Sequence, residues 1–205
     1  MVGIIILAGG KGNRIGGDKP LIQLNDKPLV VHVIEAVEKL TDEIIVVTSN
    51  DLEDLFRELL PDNIVILPDL IMGRGPLVGL YTGLRFIRSE WAFVLPCDSP
   101  FLNEELLRFL IDKSSGMNAV VPIWPNGYIE PLHSLYRVSA TLEACERVFA
   151  HNSFKISEMI TKLDPVYFVP VERLKRFDPE LLSLLNINSE KDLEKARDLI
   201  SGRKK

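Results

Sequence analysis

The segment Leu7-Ala8-Gly9-Gly10-Lys11-Gly12-Asn13-Arg14-Ile15-Gly16-Gly17-Asp18-Lys19-Pro20 follows directly on a short apolar run, residues 2–7. An apolar run of that length followed by glycines is the signature of a buried first strand opening into a loop at the carboxyl edge of a parallel sheet. Open α/β folds bind their ligands at that edge. Five glycines let the backbone come close to a ligand and turn its N–H groups towards phosphate oxygens. Lys11, Arg14 and Lys19 add positive charge, with Asp18 the only acid among them. Two readings follow from these residues: a phosphate cradle, or a flexible connection whose lysines are merely solvated.

Two standard phosphate motifs fail here. The spacing G-x-x-x-x-G-K-[ST] is absent, and Lys19 is followed by proline. The dinucleotide pattern G-x-G-x-x-G starts at Gly10 and Gly12, but Ile15 occupies its third glycine position. Gly16, Gly17 and Pro20 keep the chain irregular, so the cradle is expected to work as a loop with cationic side chains rather than as a helix N-terminus.

Working outward, further apolar runs at 43–48, 64–67 and 91–95 predict three more buried strands. Helical periodicity predicts helices over 28–40, about 51–60, 77–87 and 103–113, two of them opened by a proline. The second half is less regular. Strands are expected at 119–123, 128–136 and 166–171, with a hairpin turned at Pro125-Asn126-Gly127, and helices at 138–150 and 155–163. A final helix from about 189 to 200 opens with Ser189 and carries Asp192 three residues on, a variant capping box. Alternating strands and helices give an α/β fold: a Rossmann-like three-layer sandwich with a mostly parallel central sheet. Residues 1–205 are expected to form one domain, with a nucleotide-binding half of about 1–115 and an acceptor-binding half of about 116–205.

A net charge of −5 without a basic stripe excludes general nucleic-acid binding and leaves any anionic substrate to a local cluster. Cys97 and Cys145, the only cysteines, have no zinc or disulfide spacing. The first residues lack the basic start of a signal peptide, and no apolar run approaches a membrane span, so a cytoplasmic protein is expected.

The pattern L-A-G-G-x-x-x-R-x-G-G-x-D-K, met here over residues 7–19 with one fewer residue before Asp18 and followed by Pro28-Leu29, is similar to that of the molybdenum cofactor guanylyltransferases. These belong to the nucleotidyltransferases of the nucleotide-diphosphosugar transferase type. The likeness covers most of the chain and is strongest over 7–29, 68–79 and 95–101. It implies transfer of GMP from GTP to the phosphate of a molybdopterin-type cofactor (molybdenum or tungsten), with release of pyrophosphate. It also implies that Leu7, Ala8, Gly9, Gly10 and Lys19 hold the triphosphate and that Asp69 contacts the nucleotide. Asp98 would bind Mg2+ and nucleotide, Arg14 and Lys19 would stabilise the leaving pyrophosphate, and Asn186 and Asn188 would meet the acceptor. Transient contact with proteins that deliver or receive the cofactor follows from the same resemblance.

Residue chemistry runs beside it. Asp98 ends a predicted strand in Pro96-Cys97-Asp98-Ser99-Pro100, where it can serve either a hard cation or an Asx turn. Asp69 taken alone is an ordinary turn residue. Thr48 stands where such guanylyltransferases often have asparagine; it offers a hydroxyl, and Asn50 two residues on offers an amide. Of the histidines, His133 alone falls on a strand expected to face the pocket, in a direct role or simply packed. Asn186 and Asn188 alternate on one side, while Asn188 or Ser189 also suits a helix cap. A cytidylyl- or uridylyltransferase acting on another phosphorylated acceptor is the alternative; Ala8-Gly9-Gly10, where related cytidylyltransferases more often show Ala-Ala-Gly, favours guanine. An NAD-dependent oxidoreductase is disfavoured by the broken glycine pattern, and a non-catalytic nucleotide sensor by the joint presence of Arg14, Lys19 and Asp98.

Overall fold

A computed structural model describes residues 1–9, 18–70 and 75–203. Gly10, Lys11, Arg14 and the remainder of residues 10–17, together with Gly73 and Arg74, lie outside the described residues. In chain order the elements are β1 (Val2–Leu7), β2 (Gln23–Leu24), β3 (Lys27–Pro28), α1 (Leu29–Val37), β4 (Ile44–Thr48), α2 (Glu53–Leu59), β5 (Val65–Pro68), α3 (Pro76–Phe86) and β6 (Trp91–Pro96). They continue with α4 (Glu104–Asp112), β7 (Ala119–Ile123), β8 (Ser134–Arg137), α5 (Val138–Phe149), α6 (Ile156–Ile160), β9 (Val166–Pro170), α7 (Val171–Leu174) and α8 (Glu190–Arg203).

Seven strands form one sheet in the order β5-β4-β1-β6-β8-β7-β9, and only β8 runs against its neighbours. The apolar runs explain why the sheet is covered twice. Alternate residues of a strand point to opposite faces. Ile4 and Ile6 of β1 join Val46, Phe93 and Leu95 on the face packed by α1, α2 and α4. Ile5 and Leu7 join Val47, Ala92 and Val94 on the face packed by α3, α5 and α6. The three-layer expectation is thus met by the period of the strands themselves.

From β1 the chain moves out through β4 to β5, then returns to the other side of β1 with β6. Neighbouring loops diverge at such a reversal and leave a crevice at the carboxyl ends. Helix α3 closes one wall of it by lying unusually near β1. A Cβ on Gly83 would fall 2.6 Å from Ile5 Cγ2, and one on Gly79 would meet Leu7 Cδ2 at 3.2 Å and Asp69 Oδ1 at 3.4 Å.

Three differences from the sequence reading matter. Residues 128–136 do not form one strand; β8 begins only at Ser134. Gly127 N–H closes a turn on the Trp124 carbonyl, Trp124 N–H bonds the Tyr128 carbonyl, and Pro131 has no N–H to continue a ladder. His133 therefore sits in a turn, its N–H bonded to the Glu130 carbonyl, not on a strand. The small β2–β3 hairpin has strands too short to show in the apolar pattern, although Asn25 and Asp26, at φ 51° and 62°, are the residue types that tolerate such a turn. Pro28 caps α1 rather than lying within it.

Helix α8 is capped as the spacing predicts: Ser189 Oγ donates to Asp192 Oδ2 at 2.7 Å, and Asp192 Oδ2 also accepts from Asn188 N–H at 3.0 Å. A satellite core of Leu24, Leu29, Phe101, Leu182, Ile187, Leu193 and Ala196 ties the segment before α8 to the β2–β3 hairpin. Among the described residues no helix is long and apolar enough to cross a membrane.

Candidate active site

A cavity of about 400 Å3 opens at the carboxyl edge, between the ends of β1, β4 and β6 and the start of α3. Leu7, Gly9, Lys19, Val47, Ser49, Asp69, Gly75, Pro76, Gly79, Pro96, Cys97, Asp98 and Leu132 line it. Leu7, Gly9, Lys19, Asp69 and Asp98, all singled out in the sequence, are thus brought to one hollow. Ala8 is turned away: its side chain is buried, and its N–H bonds the Val47 carbonyl at 2.7 Å.

Asp98 follows the last residues of β6, in line with the sheet. Its carboxylate is almost wholly buried, and Oδ2 forms an ion pair with Lys19 Nζ. Oδ1 is buried with no hydrogen-bond partner among the described residues. A charged oxygen left in that state is costly unless something else meets it. Lys19 reaches Asp98 from a short 3-10 turn, residues Lys19–Leu21, whose Pro20 is buried. Its ammonium also donates to Asn188 Oδ1 at 2.6 Å.

The two asparagines converge on the same place. Ile187, fully buried in the satellite core, points away from them, so Asn186 and Asn188 share the opposite side. Ile187 N–H donates to the Asp98 carbonyl at 2.9 Å, splicing this segment onto the end of β6. Ser99 Oγ donates to Asn186 Oδ1 at 2.6 Å and lies 3.0 Å from His133 Nε2. His133 does not line the cavity; its neighbour Leu132 does. Burial pushes the His133 imidazole down to about 4, so it is neutral near pH 7.

Asp69, exposed at the rim, has its carboxyl lifted above the ordinary value by desolvation against the surrounding wall. Burial, with the Asp98 charge in second place, raises the Cys97 thiol far above its usual value and leaves it an inert lining group. Thr48 is fully buried, its hydroxyl turned to the Ala8 carbonyl at 3.4 Å, and Asn50 is exposed outside the cavity lining. Ser49, between them, lines the hollow instead. Alternation along β4 carried that signal: Val47 faces the side of α3, Thr48 the other, and Ser49 comes back. Ser99 was the other residue missed, standing beside Asp98 in a turn-like tripeptide with nothing in the sequence to reveal His133 as its partner.

Residues 4–166 match the model of the MobA-like NTP transferase domain. The chain belongs to that family. Among its relatives is a protein named probable molybdenum cofactor guanylyltransferase from Thermococcus gammatolerans. It is 40% identical over 203 residues, which cover 95% of this chain and 98% of the relative. A relative of the same name from Methanosarcina mazei is 36% identical over 196 residues, covering 93% and 87%. The crystal structure of molybdopterin-guanine dinucleotide biosynthesis protein A from Archaeoglobus fulgidus superposes with a TM-score of 0.84 at 29% identity, covering 98% of this chain and all of that one. A 4-diphosphocytidyl-2C-methyl-D-erythritol synthase from Anaerococcus prevotii shares the fold, with a TM-score of 0.73 at 18% identity over 98% of this chain and 96% of that one.

Among the described residues no group of three or more His, Cys, Asp or Glu forms a metal cage. The donor set nevertheless suits Mg2+, which takes one or two carboxylates and draws its other ligands from phosphate and water. The unmet Asp98 Oδ1 fits that requirement.

Proposed function

We propose that this MobA-like transferase moves GMP from GTP to the terminal phosphate of a molybdopterin-type cofactor, releasing pyrophosphate. The observation that carries the reading is the convergence of Lys19, Asp98, Asn186 and Asn188 at one end of β6. Donor-side and acceptor-side groups are there joined by direct contacts.

The acceptor's phosphate oxygen attacks the α-phosphorus, and the bond from that phosphorus to the β-phosphate bridge breaks. A terminal phosphate is already ionised near pH 7, so the protein's task is positioning and charge neutralisation rather than proton removal. Gly9 lines the cavity at the end of β1, and among the described residues nothing lies within 4 Å of where its Cβ would stand. Lys19 lies beside Asp98 and, with Arg14, supplies positive charge to the departing pyrophosphate. Asp98 would hold Mg2+, which when bound neutralises phosphate oxygens and polarises the α-phosphorus. Asn186 and Asn188 orient the acceptor with their amides. A cytoplasmic setting, with transient contacts to proteins that deliver and receive the cofactor, belongs to the same proposal.

With the Thr48 hydroxyl turned away from the cavity, base choice rests on other groups. The test is therefore a triphosphate panel. With Mg2+ and the pterin acceptor present, pyrophosphate release is expected with GTP at a rate at least about 100-fold above CTP, UTP and ATP, as hydrogen-bond readout of a base allows. Preferential turnover of CTP would overturn the guanine assignment and leave the reaction class standing.

A further inference from the structure

Beyond the cavity wall, Ser99 and His133 form a buried pair that the transfer chemistry itself does not use. Ser99 is fully buried and His133 is 2% exposed. The serine hydroxyl has one proton and two neighbours within reach, Asn186 Oδ1 at 2.6 Å and His133 Nε2 at 3.0 Å. A hydroxyl can donate only once. If the proton goes to Asn186 Oδ1, His133 must donate from Nε2, and its Nδ1 is bare. If it goes to His133 Nε2, the Asn186 amide must turn over and donate its own Nδ2–H to the serine. The two arrangements present opposite faces to the acceptor: an N–H donor in the first, a carbonyl oxygen in the second.

We propose that His133 and Ser99 are positioning residues that set the polarity of Asn186, holding its Nδ2–H outward to donate to an acceptor-substrate oxygen or ring nitrogen. The contacts around the imidazole select this arrangement. His133 Nδ1 has no hydrogen-bond partner among the described residues, and Glu130 Oε2 stands 3.9 Å from it, beyond hydrogen-bond reach. An Nδ1–H in that place would be a buried donor with nothing to meet it, whereas Nε2–H has Ser99 Oγ. Trp124 Nε1–H fixes Glu130 from the other side, donating to Oε1 at 2.7 Å, so the carboxyl is not free to swing in. Burial keeps the ring neutral, and a neutral ring is what gives it a single N–H to place. A phosphorylated heterocycle, rich in acceptor oxygens and nitrogens, is the substrate class such a donor fits.

This inference rests on the acceptor reading of Asn186, and its test separates the two. Steady-state kinetics with GTP, Mg2+ and the pterin acceptor would compare Asn186→Ala, Ser99→Ala, His133→Leu and His133→Gln. The glutamine amide can put a donor near the place of Nε2–H. The acceptor KM is expected to rise about tenfold in the first three, the effect of one lost hydrogen bond, with the KM for GTP within about twofold of the parent. His133→Gln should recover most of that loss. Ser99→Ala combined with His133→Leu should be no worse than either alone, because both break one chain of contacts. An acceptor KM that rises in Asn186→Ala but not in Ser99→Ala or His133→Leu overturns the relay and leaves the acceptor site intact. No change in Asn186→Ala overturns the acceptor site itself, and the relay's role with it. A readout free of catalysis is the nitrogen-15 spectrum of the His133 ring in the unliganded protein at pH 7, assigned by its absence in His133→Gln. A protonated Nε2 with a bare Nδ1 is expected, and the opposite tautomer would sink the proposal even if every variant folds poorly.

Discussion

The two edges of the central sheet each hold a carboxylate, and they treat it in opposite ways. At the amino edge, just before β4, Glu43 has both oxygens engaged: Oε1 by Arg88 N–H at 2.6 Å, and Oε2 by Ser89 N–H at 2.9 Å and Ser89 Oγ at 2.6 Å. At the carboxyl edge, after β6, Asp98 has one oxygen paired with Lys19 and the other without a hydrogen-bond partner among the described residues. The amino edge also carries the larger hollow, about 700 Å3, lined in part by Phe86 and Val65. Size therefore does not mark the site. Glu43 staples the α3–β6 connection to the start of β4, while Asp98 keeps one carboxylate oxygen that no described residue meets. Under the proposed function, a hydrogen-bond set left incomplete among the described residues, beside glycines and a lysine, is what would mark working chemistry off from structure.

The largest expected effect that would break this contrast is on turnover. Asp98→Ala should lower the rate of pyrophosphate release by about 10^3-fold, roughly 4 kcal/mol of transition-state stabilisation. Its melting temperature should stay close to the parent's, since one buried unmet oxygen is removed with the charge. A variant that keeps more than about a tenth of the activity would erase the distinction between the edges.

Next in size is a pH effect confined to the carboxyl edge. His133 is held at about 4 in the folded protein against an ordinary value near 6.5, so the unfolded chain binds the extra proton between those limits. The parent should therefore lose stability as pH falls from about 6.5 to 4, by at most about 3 kcal/mol from this group. Glu130 and Asp69, both raised by desolvation, act with the opposite sign. The comparison that isolates the histidine is denaturant unfolding of His133→Gln against the parent: the variant's deficit should shrink as pH drops through that window. Glu43 behaves differently. Desolvation lifts it, but the Ser89 hydroxyl and the two backbone N–H groups outweigh that and hold it below its ordinary value. Its contribution is present above the usual carboxylate range and disappears only in stronger acid. A deficit that stays constant from pH 6.5 to 4 would mean that His133 is not shielded as described.

Smallest of the three, Glu43→Ala should cost about 1–2 kcal/mol of stability by stranding Arg88 N–H, Ser89 N–H and Ser89 Oγ, some of which water can meet. Its kcat and KM should match the parent's. A fall in kcat would show that the amino edge takes part in catalysis after all.

The same contrast explains what could be read from the sequence. The sheet's parallel core was legible because β1, β4, β5 and β6 are apolar runs bounded by glycines, prolines and helical periodicity, all local signals. Asp98 could be nominated because it sits where a predicted strand gives way to a turn, and Lys19 because it is one of three cations in the glycine loop and matches the family's lysine. Asn186 and Asn188 could be paired because a single residue separates them. The Ser99–His133 contact could not, since it joins residues 34 positions apart and depends on a turn at Pro131 where the sequence leads one to expect a strand. The Glu43 staple was equally hidden, because a glutamate before a strand looks solvated until Arg88 and Ser89 are folded over it. Thr48 was misjudged by one step of the pleat, which handed its place in the cavity to Ser49.

One hydrogen bond, from Ile187 N–H to the Asp98 carbonyl, has a consequence for how the two reactants would be gauged. It ties the late segment to Asp98, two residues past the end of β6, by a link of 2.9 Å, with the Ile187 side chain anchored behind it. If Asp98 holds a cation as proposed, the span from it to the amides at 186 and 188 is gauged by that one link, like the gap of a caliper. Remodelling this protein for a longer or shorter acceptor would begin at that single peptide contact.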